Sequence, residues 1–279
     1  MMLNNRQKCL FYFLQKSERC LKMQLAKIFF LMSHESIINE RGKFYSFVPY
    51  KFGPYSFELF HDVELMEQEK LITTDRNTIT FVRNSNSISA ESVPIIDRYF
   101  EDYFFMNERK LINFVYERYP DYTIFSTIKK KKEYVRDLTG VYTIGYEGRS
   151  IDEFLRKMID EKIQILADVR NNPWSMKYGY SKQNLEVFCD KLGIRYTNIP
   201  SLGIPGSLRK NLNDKEAYEK LFTMYRTYLE NKIGELQELK RLSEKHRVAL
   251  MCFERDPSYC HRGVLGKELE KIGAEVEFN

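Results

Sequence analysis

The chain of 279 residues has no apolar run near the roughly 18 residues a membrane span needs, and no disulfide framework. Its opening MMLNNRQKCLFYFLQK holds only a six-residue apolar stretch flanked by polar residues, too short for a secretory leader, so a cytoplasmic protein without membrane insertion is expected. The five cysteines (Cys9, Cys20, Cys189, Cys252, Cys260) are odd in number, scattered, and contain no CxxC pair. Reduced thiols in a reducing compartment fit that usage. A strong charge bias is missing as well. The formal charge is +5, with 21 Lys/Arg against 18 Asp/Glu up to Gly140 and 23 against 21 after it, so neither half is basic enough to establish nucleic-acid binding on charge alone. No internal repeat is present. What remains is 43% hydrophobic and 30% charged, a folded composition that excludes disorder and collagen-like structure, and the length predicts two units.

The first unit reads as mainly helical. Apolar spacing recurs in Cys9 to Leu14, in Leu21 to Met32, and at Phe57, Leu59, Phe60, Val63, Leu65 and Met66. In LITTDRNTITFV, two β-branched runs flank Asp75, Arg76 and Asn77, which predicts a hairpin. Three helices and a two-stranded wing is the winged-helix order. Amphipathic helices over about 92–105 and 108–119 extend this domain or mediate a homodimer, and Pro120 ends the second. The four lysines Lys129 to Lys132 mark a connector. The expected organisation is a winged-helix-like module over 1–88, a helical extension over 89–128, a basic linker over 129–140 and an α/β domain over 141–279.

After Gly140 strands alternate with helices: strands at 141–148, 165–170, 194–200 and 248–254 with a short last one in AEVEFN, and helices from Ser150, from Ser181, from Asp214 to Lys245, and over 260–272. Ser150 with Glu153 forms a capping box. This is the pattern of a Rossmann-like, mainly parallel sheet with helices on both faces. Ligands in such sheets bind beyond the carboxyl ends of the strands.

Those ends are polar. They carry Glu147, Gly148 and Arg149; Asp168 and Arg170; Leu202 and Gly203; and Cys252, Glu254 and Asp256. A rim of Glu, Asp and Arg suits a nucleoside or sugar-phosphate, and pairing of Asp168 with Arg149 or Arg170 inside the protein is the structural alternative. The loop NNPWSMKYGYS places Trp174, Lys177, Tyr178 and Tyr180 within seven residues, the interleaving of aromatics and cations that stacks bases and pairs phosphates. It equally suits a loop folded onto its own domain.

The string CFERDPSYCHR runs from Cys252 to Arg262. A thiol at a helix start beside His261 and Arg262 loses its proton more easily, which makes Cys260 a candidate nucleophile with His261 as base. A phosphatase-type loop needs Arg six residues after the Cys, and position 266 is Gly. Cys252, Cys260 and His261 are metal-ligand types, yet an adjacent Cys-His with one Cys eight residues earlier is an unusual spacing, so no metal is expected. No cofactor is specified.

Taken together, TIGYEGRSIDEFL (143–155), LADVRNNPWS (166–175), GYSKQNL (179–185), YTNIPSLG (196–203) and CFERDPSYCHR (252–262) resemble a widespread prokaryotic family known as domain of unknown function 488. The resemblance implies a Rossmann-like α/β domain without an assigned reaction. Its recurrent polar positions would fall on Arg149, Asp168, Arg170, Ser181, Gly203, Glu254, Cys260, His261 and Arg262. Tyr146 and Glu147 stand where many relatives have His and Ser. In the first unit, FYSFVPYKFGPYSFELFHDVELMEQEKLI (44–72) looks like a Panacea or SocA-like antitoxin module, a type found in toxin control, adaptor and phage-defence settings. The helix over 56–70 carries Glu58, Asp62, Glu64, Glu67 and Glu69. DNA repels such a helix, so Lys51, Arg76 or Arg83 would have to touch it, and a protein partner is equally plausible.

Two readings of function follow. One is a nucleic-acid- or nucleotide-directed enzyme, with Asp168, Glu147, Glu254, Cys260 and His261 as its chemistry and Arg149, Arg170, Trp174, Lys177, Tyr178, Ser181, Gly203 and Arg262 holding the ligand. The other is a non-catalytic nucleotide or modified-base sensor that signals through the first domain. Thiol chemistry at Cys260 is a third.

Overall fold

Contacts in a computed structural model, which describes residues 3–82, 92–208 and 215–279, divide the chain into two units, Met1–Tyr134 and Val135–Asn279. In the first, α1 (Asn5–Ser17) and β1 (Arg19–Leu21) lead into α2 (Lys22–Glu35); the hairpin β2 (Val48–Tyr50) and β3 (Gly53–Tyr55) precedes α3 (Phe57–Gln68); then come β4 (Ile72–Thr74), β5 (Thr78–Phe81), α4 (Val93–Tyr103) and α5 (Glu108–Arg118). The β4–β5 hairpin forms where the β-branched runs predict it, and β1 adds antiparallel to β5 to make a three-stranded sheet in the order β1-β5-β4. The short strands β1, β2 and β3 are not predicted from sequence. Three residues are too few for an alternation to register, and β1 is a strand only through its ladder with β5, where Cys20 stands opposite Ile79. Arg76 lies in the β4–β5 turn and Lys51 in the β2–β3 turn, whereas Arg83 falls outside the described residues.

Helix α2 is central to this unit. Leu25, Ile28, Phe29, Phe30, Leu31 and Met32 are all without exposure, the all-round burial of a helix wrapped by its neighbours. The acids of α3 do not all face outward. Asp62 is buried and accepts from Gln7 Nε2 (2.8 Å), Arg6 Nε (2.9 Å) and the Tyr45 hydroxyl (2.8 Å), and Glu58 pairs with Arg6 at 3.0 Å. Two of the five acids predicted to repel phosphate are thus spent on the core.

A cavity of about 730 Å³ opens between α2, the two hairpins and α5, lined among others by Lys22, Lys27, Tyr50, Tyr55, Phe60 and Glu67. Lys27 is buried there, its ammonium donating to the carbonyls of Phe52 and of Pro54 (3.3 Å), and burial lowers its pKa to about 7. The unfolded chain, with an ordinary lysine pKa near 10.4, therefore binds more protons than the folded one between about pH 7 and pH 10. Stability should rise with pH across that window by up to about 1.4 kcal/mol per unit. Lys27→Met should remove this slope, so the gap in melting temperature between variant and wild type is largest near neutrality and closes as pH rises. Parallel melting curves would sink the idea.

In the second unit the elements are β6 (Gly140–Gly145), α6 (Ile151–Asp160), β7 (Ile165–Asp168), α7 (Lys182–Lys191), β8 (Arg195–Asn198), α8 (Lys215–Glu230), α9 (Ile233–Ser243), β9 (Arg247–Cys252), α10 (His261–Lys271) and β10 (Val276–Glu277). Five parallel strands order as β10-β6-β9-β7-β8, the parallel sheet the alternating pattern predicts. The three inner strands are buried: every residue of β6, β7 and β9 is so, as a sheet covered on both faces requires. Ser150 and Glu153 close the predicted capping box at 3.1 and 2.6 Å. The single long helix predicted from Asp214 to Lys245 is instead two. Asn231 and Lys232 turn back onto the carbonyls of Tyr228 and Leu229, and Gly234, a weak helix former, follows at the restart; Asp214 itself lies outside the described residues. Among the described residues no helix is long and apolar enough to cross a membrane.

Candidate functional site

The ladder register sets the carboxyl ends of four strands level with one another. Gly145 faces Cys252, and Asp168 faces both Met251 and Asn198. Everything that follows these residues forms one rim.

At the end of β7, Asp168 has no exposure. Its Oδ1 accepts from the Arg170 backbone N–H (3.1 Å) and Nε (2.8 Å), and its Oδ2 from Arg170 Nη2 (2.6 Å) and the Tyr196 hydroxyl (2.8 Å). Four donors fill the four lone-pair positions of a carboxylate. Asp168 therefore faces an arginine of its own domain and has no acceptor left to orient water. Burial works against the Arg170 charge, yet Asp168 more than offsets it and the guanidinium pKa is raised. The Tyr196 hydroxyl is pushed up by burial and by the same carboxylate. Tyr196 was not singled out from sequence; its signal is only its register, since it stands across the ladder from Leu166, two residues before Asp168.

Arg170 also donates to the Tyr146 hydroxyl (3.2 Å) and lies over that ring. Tyr146 stacks on Tyr180 with centroids 4.2 Å apart, and the Tyr180 hydroxyl donates to the carbonyls of Arg149 (3.1 Å) and Ser150 (2.8 Å). Lys177 reaches the Tyr146 carbonyl at 3.2 Å. The loop over 171–181 is thus pinned by the very Tyr and Lys that suggested ligand contact: Lys177 and Tyr180 turn inward, and Tyr178 sits 6.1 Å from the Phe188 ring. Trp174 is different. It is 65% exposed on a loop whose other aromatic residues hold it in place. Ser181 occupies the position before α7 without a side-chain cap bond.

The remaining rim residues divide in the same way. Glu147 is exposed and accepts the Arg255 N–H at 2.9 Å. Arg149 folds back on the Gly145 carbonyl at 2.5 Å. Gly203 is required by closeness, because a Cβ there would sit 2.3 Å from the Asn171 nitrogen. Arg262, with no exposure, donates to the carbonyls of Glu254, Arg255 (2.7 Å) and Asn279 (3.1 Å). It clamps main chain and is not placed to hold a ligand.

Cys252, at the end of β9, and Cys260 and His261, at the start of α10, are all buried and their ligating atoms lie within 4.8 Å of one another. His261 Nδ1 is 3.4 Å from Cys252 Sγ and 3.8 Å from Cys260 Sγ, while Nε2 meets the Val169 carbonyl at 3.0 Å. Burial alone would raise the Cys260 thiol, but hydrogen bonds from Cys252 and His261 and the charges of His261 and Arg262 outweigh it, holding Cys260 well below an ordinary thiol. Cys252, which donates to it and is desolvated, moves the opposite way. Glu254, 3.5 Å from Cys252 Sγ, is raised to about 7 by burial and by the Cys260 charge. Strand, turn and helix thus fold ten residues of sequence, 252–261, back into a single polar cluster.

Residues 150–269 match the domain of unknown function DUF488. The DUF488 segment runs from the Ser150 cap through α10 and holds Asp168, Arg170, Trp174, Glu254 and the whole thiol cluster; the resemblance of the C-terminal half to this family is so established, and β6, with Glu147 and Arg149, precedes the segment. No curated protein and no solved structure matches the chain.

Proposed function

We propose that the α/β unit is a nucleotide- or nucleic-acid-directed module that works by recognition at the strand rim, in the manner of a sensor. The observation that carries this reading is Trp174, held out from a loop anchored by Tyr180 and Lys177 at the carboxyl ends of the strands. An aromatic face fixed in solvent loses little freedom when a base stacks on it, an interaction worth about 1–3 kcal/mol. Recognition is favoured over catalysis because Asp168, the buried acid at the centre of the rim, has all its acceptor positions engaged.

The N-terminal unit we read as a winged-helix-like, SocA-like module that passes the signal to a protein partner. Supporting it are three helices, the β4–β5 hairpin and the edge strand β1. A toxin-control or phage-defence setting rests on the resemblance of residues 44–72 alone. Exposed Glu64 still disfavours phosphate on α3.

The test is a thermal-shift screen of nucleotides, nucleosides, single-stranded and double-stranded DNA on wild type and Trp174→Ala. Trp174 is the residue to change, since Arg170→Ala would unfold the site it probes. A binder present at 100 times its Kd stabilises by about 2.7 kcal/mol, and the shift should vanish in Trp174→Ala. A shift indifferent to Trp174, or none with any of these compounds, overturns the reading, and conversion of the bound compound would transfer the case to the enzyme.

A further inference from the structure

From the geometry at the end of β9 we infer that Cys252, Cys260 and His261 bind a zinc-class divalent ion whose fourth ligand is Glu254. A tetrahedral zinc with bonds of about 2.3 Å to sulfur and about 2.0–2.2 Å to nitrogen or oxygen has ligand-to-ligand edges of about 3.8 Å between two sulfurs and about 3.6 Å from sulfur to nitrogen or oxygen. The observed separations are 3.4 and 3.8 Å from His261 Nδ1 to the two sulfurs and 3.5 Å from Cys252 Sγ to Glu254 Oε2. Three of the six edges are therefore already at their lengths; the two cysteines and the histidine form the cluster, and Glu254, beside Cys252, turns in to close it.

The surroundings suit it too. A carbonyl can only accept, so the 3.0 Å contact between His261 Nε2 and the Val169 oxygen fixes a proton on Nε2 and turns Nδ1 toward the thiols, the nitrogen that gives up its proton when a metal binds. A metal-bound histidine carries this arrangement, its far nitrogen fixed by a backbone carbonyl. Two thiolates and a carboxylate exceed the charge of a divalent ion by one, and Arg262, anchored on the carbonyls of Glu254 and Arg255, supplies the offsetting charge. Binding releases the thiol protons to solvent as the sulfur-metal bonds form. The spacing looked unusual because one ligand ends a strand and two begin the next helix, so the turn over 253–259 does the work of the short knuckle in familiar zinc motifs. This site goes beyond the recognition reading and stands if that reading fails.

The experiment is a cobalt(II) titration of the reduced, metal-stripped full chain, followed by zinc displacement. One equivalent should bring up the near-ultraviolet thiolate-to-cobalt charge-transfer band together with intense tetrahedral visible bands, and zinc should abolish both. Cys252→Ser and Cys260→Ser should each weaken the band severely, and Cys189→Ser, altering a buried thiol in α7 away from the cluster, should leave it intact. Glu254→Gln should keep the sulfur band and move the titration midpoint to higher cobalt. No band in the wild-type chain, or a band that survives Cys252→Ser combined with Cys260→Ser, overturns the proposal. Because the wild-type reading is decisive alone, a variant that fails to fold does not shelter it.

Discussion

Asp168→Ala is expected to destabilise the α/β unit by about 3–5 kcal/mol, the range for removing one partner of a buried ion pair. The substitution strands the Arg170 guanidinium, 6% exposed, without either of its carboxylate bonds, and releases the Tyr196 hydroxyl as well. Arg170→Leu should be comparably harmful for the mirror reason, a carboxylate left inside without its cation. The pair combined should lose less than the sum, since the second change removes the orphan that the first creates. Tyr196→Phe should lose only about 1 kcal/mol, the net worth of one hydrogen bond. Hydrogen exchange followed on the peptides of β7 and β9 would report the α/β unit separately from the first. An Asp168→Ala variant within 1 kcal/mol of wild type would mean that the carboxylate is free, and would return it to the list of catalytic candidates.

Gly145→Ala should be more damaging than its single methyl suggests. A Cβ at the end of β6 would lie 1.8 Å from the Glu254 carbonyl oxygen and 2.7 Å from its carbon. Both are main-chain atoms, and Gly145 is held in register with Cys252, so neither side yields without breaking the ladder. Overpacking against rigid backbone places the expected loss above about 3 kcal/mol. Gly234→Ala supplies the contrast: its Cβ meets nothing within 4 Å, and in the first turn of α9 the exchange should gain about 0.5–1 kcal/mol by reducing unfolded-chain freedom. A Gly145→Ala chain that melts with wild type would show that the segment over 253–255 is free to move.

The parallel sheet was legible because its inner strands β6, β7 and β9 are buried on both faces and read as largely apolar runs, and the Ser150 and Glu153 box because capping is decided within four residues. Where the outcome depended on what a side chain meets across the fold, local pattern was silent. Asp168, Arg170 and Arg262 are the residue types of a catalytic rim, and the partners Tyr146, Tyr196 and the Asn279 carbonyl that help tie them up come from elsewhere in the chain. The same loss of information hid the ligand geometry at Cys252, Cys260 and His261, whose linear spacing fits no familiar motif.

The strand order also governs when the rim can come into being. Strand β9 lies between β6 and β7, so the first two strands of the α/β unit to leave the ribosome do not pair with each other and wait for residues 247–252, some hundred positions after β6. Ladders closed across such separations carry a large loop-closure entropy and form slowly. Until the late strand slides into place, β6 and the β7–β8 pair expose unpaired edges on either side of an open slot. The nascent domain is then a substrate for edge pairing with other chains, and insertion of a single strand both removes that hazard and assembles the site.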